Sequence, residues 1–162
     1  MKGSILIAIC LLLVLQGCAR LNFSPPKITE VKKSQVFDIE FGKAWTRAVD
    51  WFADHNVIIE KIERPSGLLT ARYRVKVSDE QLDCGEFDVT GTLGAPVFKR
   101  LGSLNVTVRE VKPGQSRVNV NFFGDYELIA RDAWDGRSVV QTGRCYSTGK
   151  LEKEILKFIG DS

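Results

Sequence analysis

Histidine occurs once, at His55, and none of the four cysteines stands in a Cys-x-x-Cys pair. A tetrahedral zinc site needs four ligands, and thiol–disulfide chemistry favours that paired spacing, so neither is expected. No Gly-x-Ser-x-Gly nucleophile turn is present. Ser147-Thr148-Gly149-Lys150 lacks the glycine spacing of a phosphate loop and reads instead as a helix cap. The acids Asp79, Glu80, Asp83, Glu86 and Asp88 miss the alternate positions and central glycine of a calcium loop, leaving a solvated loop as the simpler account. A charge excess is lacking too. The 23 basic residues nearly balance the 20 acidic ones, which argues against nucleic acid as the main partner. These absences point away from an enzyme and from any metal or cofactor.

A membrane-spanning apolar run is also missing. The N-terminal run from Ile5 to Leu15 is eleven residues long, where a spanning helix needs about 20. With Lys2 ahead of it and small residues at its exit, it reads as a secretory signal over residues 1–17. The exit Leu15-Gln16-Gly17-Cys18 resembles the lipobox of bacterial lipoproteins. That resemblance implies a diacylglycerol on the Cys18 thiol and a further acyl chain, such as palmitate, on the freed amine. Several chains, at about 0.8 kcal/mol per buried methylene, hold a protein durably where one does not. Ala19, rather than Asp, implies by the same resemblance delivery to the outer membrane, on its periplasmic side. An ordinary cleaved signal with a chance cysteine is the plainer alternative.

Cys10 leaves with the signal and Cys18 takes the lipid, so Cys84 and Cys145 remain and are expected to pair in an oxidising compartment. Residues 18–34 hold a Pro-Pro pair, several lysines and no periodicity, which reads as a lipidated cysteine and flexible tether. Residues 35–162 suit one domain with a single core.

Within that domain a short strand is expected near Val36–Ile39, then a helix over 42–55 with Trp45, Ala48, Val49 and Phe52 on one stripe. Asn56 suits a left-handed stop. Residues 57–63, 68–77, 104–109 and 117–122 read as strands, the last three alternating apolar and polar residues as half-buried antiparallel strands do. The turn at 113–116 joins two of them, and weaker strands are expected at 126–130 and 138–141. A closing helix over 148–159 carries Leu151, Ile155, Phe158 and Ile159. The predicted fold is α+β: an antiparallel sheet of about five or six strands with two helices packed on one face.

Phe41, Ala44 and Trp45, the apolar second strand, Gly67-Leu68 and Tyr73 give residues 36–75 a pattern that resembles the helix-grip domains of Bam-complex component C lipoproteins. This resemblance implies a helix-grip-like fold and a role beside other envelope proteins.

Two surfaces are candidates for recognition. Arg72, Arg74, Lys76, Arg109 and Arg117 should share the sheet face away from the helices and could meet an anionic glycan, lipopolysaccharide or an acidic partner; a wet face with paired charges is the alternative. Residues 91–102 read as a glycine-rich excursion with Val97 and Phe98 at its tip, either docking a partner or folding back over the core. The expected function is a lipid-anchored, non-catalytic binding or assembly-accessory module with a protein partner in the cell envelope. A lipid or small-molecule carrier with an apolar cavity between helix and sheet is the alternative.

Overall fold

The computed structural model describes residues 20–73, 77–91 and 93–161. The lipobox with Cys18, the signal segment, Arg74 and Lys76 lie outside the described residues. In chain order the elements are β1 (Arg20–Ser24), β2 (Ser34–Phe37), α1 (Phe41–Asp54), β3 (Ile59–Glu63), β4 (Leu68–Tyr73), β5 (Leu82–Asp83), β6 (Glu86–Thr90), β7 (Val97–Lys112), β8 (Gln115–Arg131), β9 (Ser138–Ser147) and α2 (Lys150–Gly160). The expected α+β architecture is present, with a larger sheet than the sequence suggests: among the described residues, seven antiparallel strands and a separate two-stranded ribbon.

The order across the main sheet is β3-β4-β7-β8-β9-β5. β2 also pairs with β8, over residues 116–119, in line with β9, which pairs with β8 over 123–131. Each long strand turns one residue parity inward. Leu104, Val106 and Val108 of β7 and Val118, Val120 and Phe122 of β8 are buried, while Asn105, Thr107 and Asn119 face outward. That parity follows from a period of two on a sheet covered on one side only.

The two helices cover one half of the inner face. α1 buries Ala44, Trp45, Ala48, Trp51 and Phe52, so the stripe runs through Trp51, while Val49 lies at its margin. Asn56 ends the helix in the left-handed conformation (φ 53°), as its position suggests. α2 buries Leu151, Ile155, Leu156 and Ile159. Arg47 of α1 donates from Nη1 to the Ile159 carbonyl at 2.7 Å, which ties the open C-terminal end of α2 to its neighbour. Trp51, Phe52, Phe122, Leu104 and Ile155, each essentially without solvent exposure, fill the space between helices and sheet.

The other half of the inner face is covered by the ribbon of β1 and β6, in register from Arg20↔Thr90 to Ser24↔Glu86. Phe23 stacks on Phe87 at 4.8 Å, and Phe87 and Phe98 both pack on Tyr126, at 5.0 and 5.6 Å. The segment read as a tether is therefore held along the domain over its described part. Beyond β1, the Lys27 N–H donates to Asp83 Oδ2 at 2.9 Å, and Val31 lies against Gly149. Only the partner strand, far off in sequence, makes residues 20–24 extended.

The disulfide Cys84–Cys145 is formed, both residues being buried. It joins the short β5 segment to β9 at the boundary between the helix-covered and ribbon-covered halves.

The excursion expected over 91–102 is instead the first part of β7 from Val97 onward. Gly102 and Gly124, opposite each other in register, explain why this stretch looks like loop. A Cβ on Gly102 would lie 2.8 Å from Phe122 Cε2, and one on Gly124 would lie 2.6 Å from the Leu101 carbonyl oxygen. These glycines admit close packing within a strand and do not break it.

Candidate functional site

Of the five basic residues read onto the outer face, Arg72, Arg109 and Arg117 are described and all are exposed. They do not form one patch. Arg109 and Arg117 are cross-strand partners at one end of the β7–β8 pair, whereas Arg72 is opposite Ser103. Six residues along β7 put roughly 20 Å between the two rows. Arg72 Nε is also 2.9 Å from Glu60 Oε1, so its charge is matched across the β3–β4 edge. The rows between carry the half-buried neutral residues Asn105, Thr107, Asn119 and Asn121. Val97 and Phe98, on successive positions of β7, are split between faces: Val97 is exposed, and Phe98 belongs to the aromatic cluster under the ribbon.

Of the remaining polar groups singled out in the sequence, Glu86 and Asp88 are exposed on β6, and the others are engaged in the fold. Nδ1 of His55 is 2.8 Å from the Trp51 carbonyl, its ring stacks on Trp51, and its Nε2 is 3.4 Å from Glu154 Oε1. It bridges the two helices. Asp83 accepts the N–H groups of Lys27 and Gly85. Asp79 pairs with Arg100, whose guanidinium lies 4.5 Å over the Phe98 ring. Burial lowers the Arg100 pKa from its ordinary value. No set of three or more metal-ligating side chains converges among the described residues. α2 begins after Gly149 in the left-handed conformation, and the two hydroxyls expected as caps flank its start: Ser147 Oγ accepts the Gly149 N–H at 3.1 Å and Thr148 Oγ1 the Lys150 N–H at 3.5 Å. Ser147 also donates its hydroxyl to the buried Glu152.

Glu80 pairs with Lys150, and the hydrogen bond from that ammonium, then its charge, hold the carboxyl below its usual pKa. A carboxylate lowered in the fold helps the fold above its unfolded pKa, and that help is lost as pH falls through the lowered value. In an NMR titration the Glu80 carboxyl is expected to titrate below 4.5, and Lys150→Ala to bring its midpoint back up. An unchanged midpoint in Lys150→Ala would show that the pair does not form in solution.

Among the described residues an open cleft of about 860 Å³ lies between α2 and residues 30–37. Val31, Phe37 and Leu156 supply apolar lining, and Lys32, Lys150, Lys153 and Lys157 stand around it with Glu30 and Asp161. The strap of residues 30–37 approaches α2 at both ends through glycine. A Cβ at Gly149 would meet Val31 Cγ1 at 3.2 Å, and one at Gly160 would meet Phe37 Cε1 at 2.5 Å. Lys150 is matched by Glu80, and Lys32 Nζ is 3.3 Å from Gln35 Oε1. Lys153 and Lys157, one helical turn apart, are both exposed beside the apolar floor.

The sequence reading missed this cleft because its two walls are more than a hundred residues apart and one of them looks like tether. The lysines of KLEKEILK were the available signal. No protein-family model matches the chain, and no curated protein matches it. Among the described residues no helix is long and apolar enough to cross a membrane.

Proposed function

We propose that the protein is a non-catalytic, lipid-anchored binding or assembly-accessory module of the bacterial envelope, held by Cys18 on the periplasmic side of the outer membrane. The reading is carried by the cleft along α2, with an apolar floor and a net basic rim. Apolar area gives affinity, and unmatched lysines favour an acidic partner and exclude a basic one. His55, Asp79, Asp83 and Glu80 are engaged in holding the fold, which favours recognition over chemistry at those positions.

Photo-crosslinking in intact cells tests this. A crosslinking residue placed at Lys153 is expected to capture an envelope protein, and one at Thr107 on the outer sheet face to capture little. Reversing Lys157 to Glu alongside the Lys153 probe should cut the yield about tenfold, the scale of one lost charge pair at an interface. Equal yields at the two sites would remove the cleft from the binding surface. The second reading, a carrier of lipid or a small molecule, draws on the cleft volume, which lies within the range of ligand sites. It requires a molecule extractable from the purified protein by organic solvent and detectable by mass spectrometry.

A further inference from the structure

Trp134, at the tip of the β8–β9 hairpin, is 90 % exposed, the most exposed of the large apolar side chains among the described residues. The tip itself is well organised. Asp132 Oδ1 accepts the Trp134 N–H at 2.7 Å, and the Asp132 N–H donates to the Arg137 carbonyl at 2.8 Å. Arg137 Nε is 3.1 Å from Asp135 Oδ2, which offsets the acid next to the indole. The indole is thus displayed from a closed turn.

Apolar residues continue along the same end of the sheet. Val97, Ile129 and Val140 are cross-strand neighbours on the outer face, and Val97 and Val140 are more than half exposed. Ala95 and Pro96 are exposed beside them. Arg131 and Arg20 are exposed at this end as well.

The start of the described chain is at this end too. Arg20 pairs with Thr90; three residues on, Leu93 bridges Asp132, and Gly94 donates to the Arg131 carbonyl. Cys18 precedes Arg20 by two residues, a reach of at most about 7 Å. The α2 cleft is at the other end. β2, which leads into it, pairs with β8 at Asn119, twelve residues before Arg131, or up to about 40 Å away.

We infer that the Trp134 hairpin tip, with Val97 and Val140 behind it, is a second membrane contact that lies in the headgroup layer of the bilayer holding the Cys18 lipid. This rests on the lipid anchor of the proposed function. Tryptophan, with an apolar body and one N–H donor, favours the bilayer interface, and flanking arginines favour phosphate. A lipid anchor alone leaves a domain free to tumble; a second contact orients it. Here it would turn the α2 cleft away from the membrane and toward the periplasm.

The test uses the full chain reconstituted in phosphatidylethanolamine–phosphatidylglycerol vesicles, with and without brominated acyl chains. Trp45 and Trp51 are buried, so Trp134, one of three tryptophans, is the reporter. The bromolipid is expected to quench the Trp134 share of the emission, and iodide in the buffer to leave it largely unquenched. Val97→Asp with Val140→Asp should restore iodide quenching. An anchored protein whose Trp134 is quenched by iodide and not by bromolipid overturns the inference and leaves the anchor standing. If intact mass shows no acyl group on Cys18, and Cys18→Ala binds the vesicles as tightly as wild type, the anchor falls and the inference with it.

Discussion

Replacing Cys84 and Cys145 together with alanine is expected to lower the unfolding free energy by roughly 4 kcal/mol, the chain-entropy value for a loop of about this length. The two cysteines are 61 positions apart, and their bond is what holds the segment after β4 to the far side of the sheet. Without it, the segment depends on β5, a strand of two residues, on Leu82, which is buried under Gly124, and on exposed polar links: the pairs Asp79–Arg100 and Glu80–Lys150 and the Thr148 N–H donated to the Gln81 carbonyl. The ribbon follows directly from Gly85, so its attachment should weaken with the loss of the bond. Urea unfolding of the double variant and of reduced wild type should show the same shift, since both release the same loop. Amide exchange should accelerate in β5 and β6 more than in the centre of β7 and β8. Against a typical domain stability of about 5–15 kcal/mol this is a large share. A shift below about 1 kcal/mol would mean that the ribbon's aromatic packing, and not the bond, holds that half of the sheet closed.

The parts of the fold legible in the sequence are those whose pattern is complete within one segment. Leu104 to Arg109 and Arg117 to Phe122 alternate because one sheet face is covered and the other wet, and each strand records that by itself. The helix stripes and Asn56 are local in the same sense. The ribbon was not legible. Leu21 and Phe23 give only two inward positions, and their partners Val89 and Phe87 come more than sixty residues later. Val97 to Gly102 looked like loop because a glycine there serves the Phe122 ring, a cause visible only once β7 and β8 are paired. The same limit applies to the candidate sites. The outer-face arginines could be placed by parity, but parity does not show that Arg72 and Arg109 are three rows apart, nor that Glu60 meets Arg72. Lys153 and Lys157 of α2 carry no site signal by themselves, because the cleft exists only where residues 30–37 close one side of the helix.

Glu152→Ala is expected to cost about 3 kcal/mol, because it leaves two donors, the Phe122 N–H and the Ser147 hydroxyl, without their buried acceptor, at about 1–3 kcal/mol for each unsatisfied group. Glu152 is in the first turn of α2, where the helix N-terminus favours an acid, yet it is fully buried. Its position explains this. One edge of β8 is met by β2 up to Asn119 and by β9 from Phe123, and the Glu152 carboxylate enters at the junction. Oε1 accepts the Phe122 N–H at 3.3 Å, and Oε2 accepts the Ser147 hydroxyl at 2.6 Å. Ser147 Oγ in turn accepts the Gly149 N–H at 3.1 Å, where α2 begins. One side chain thus joins the sheet edge to the helix start. Glu152→Gln keeps an acceptor for Phe122 and an amide that can donate to Ser147, so it should cost less than half as much as alanine. Ser147→Ala alone should cost about 1 kcal/mol, and a double-mutant cycle with Glu152→Ala should give a coupling of about 1–2 kcal/mol, as expected for groups in one network. Equal costs for the Gln and Ala variants, with no coupling to Ser147, would mean that the volume of the residue matters there and its hydrogen bonds do not.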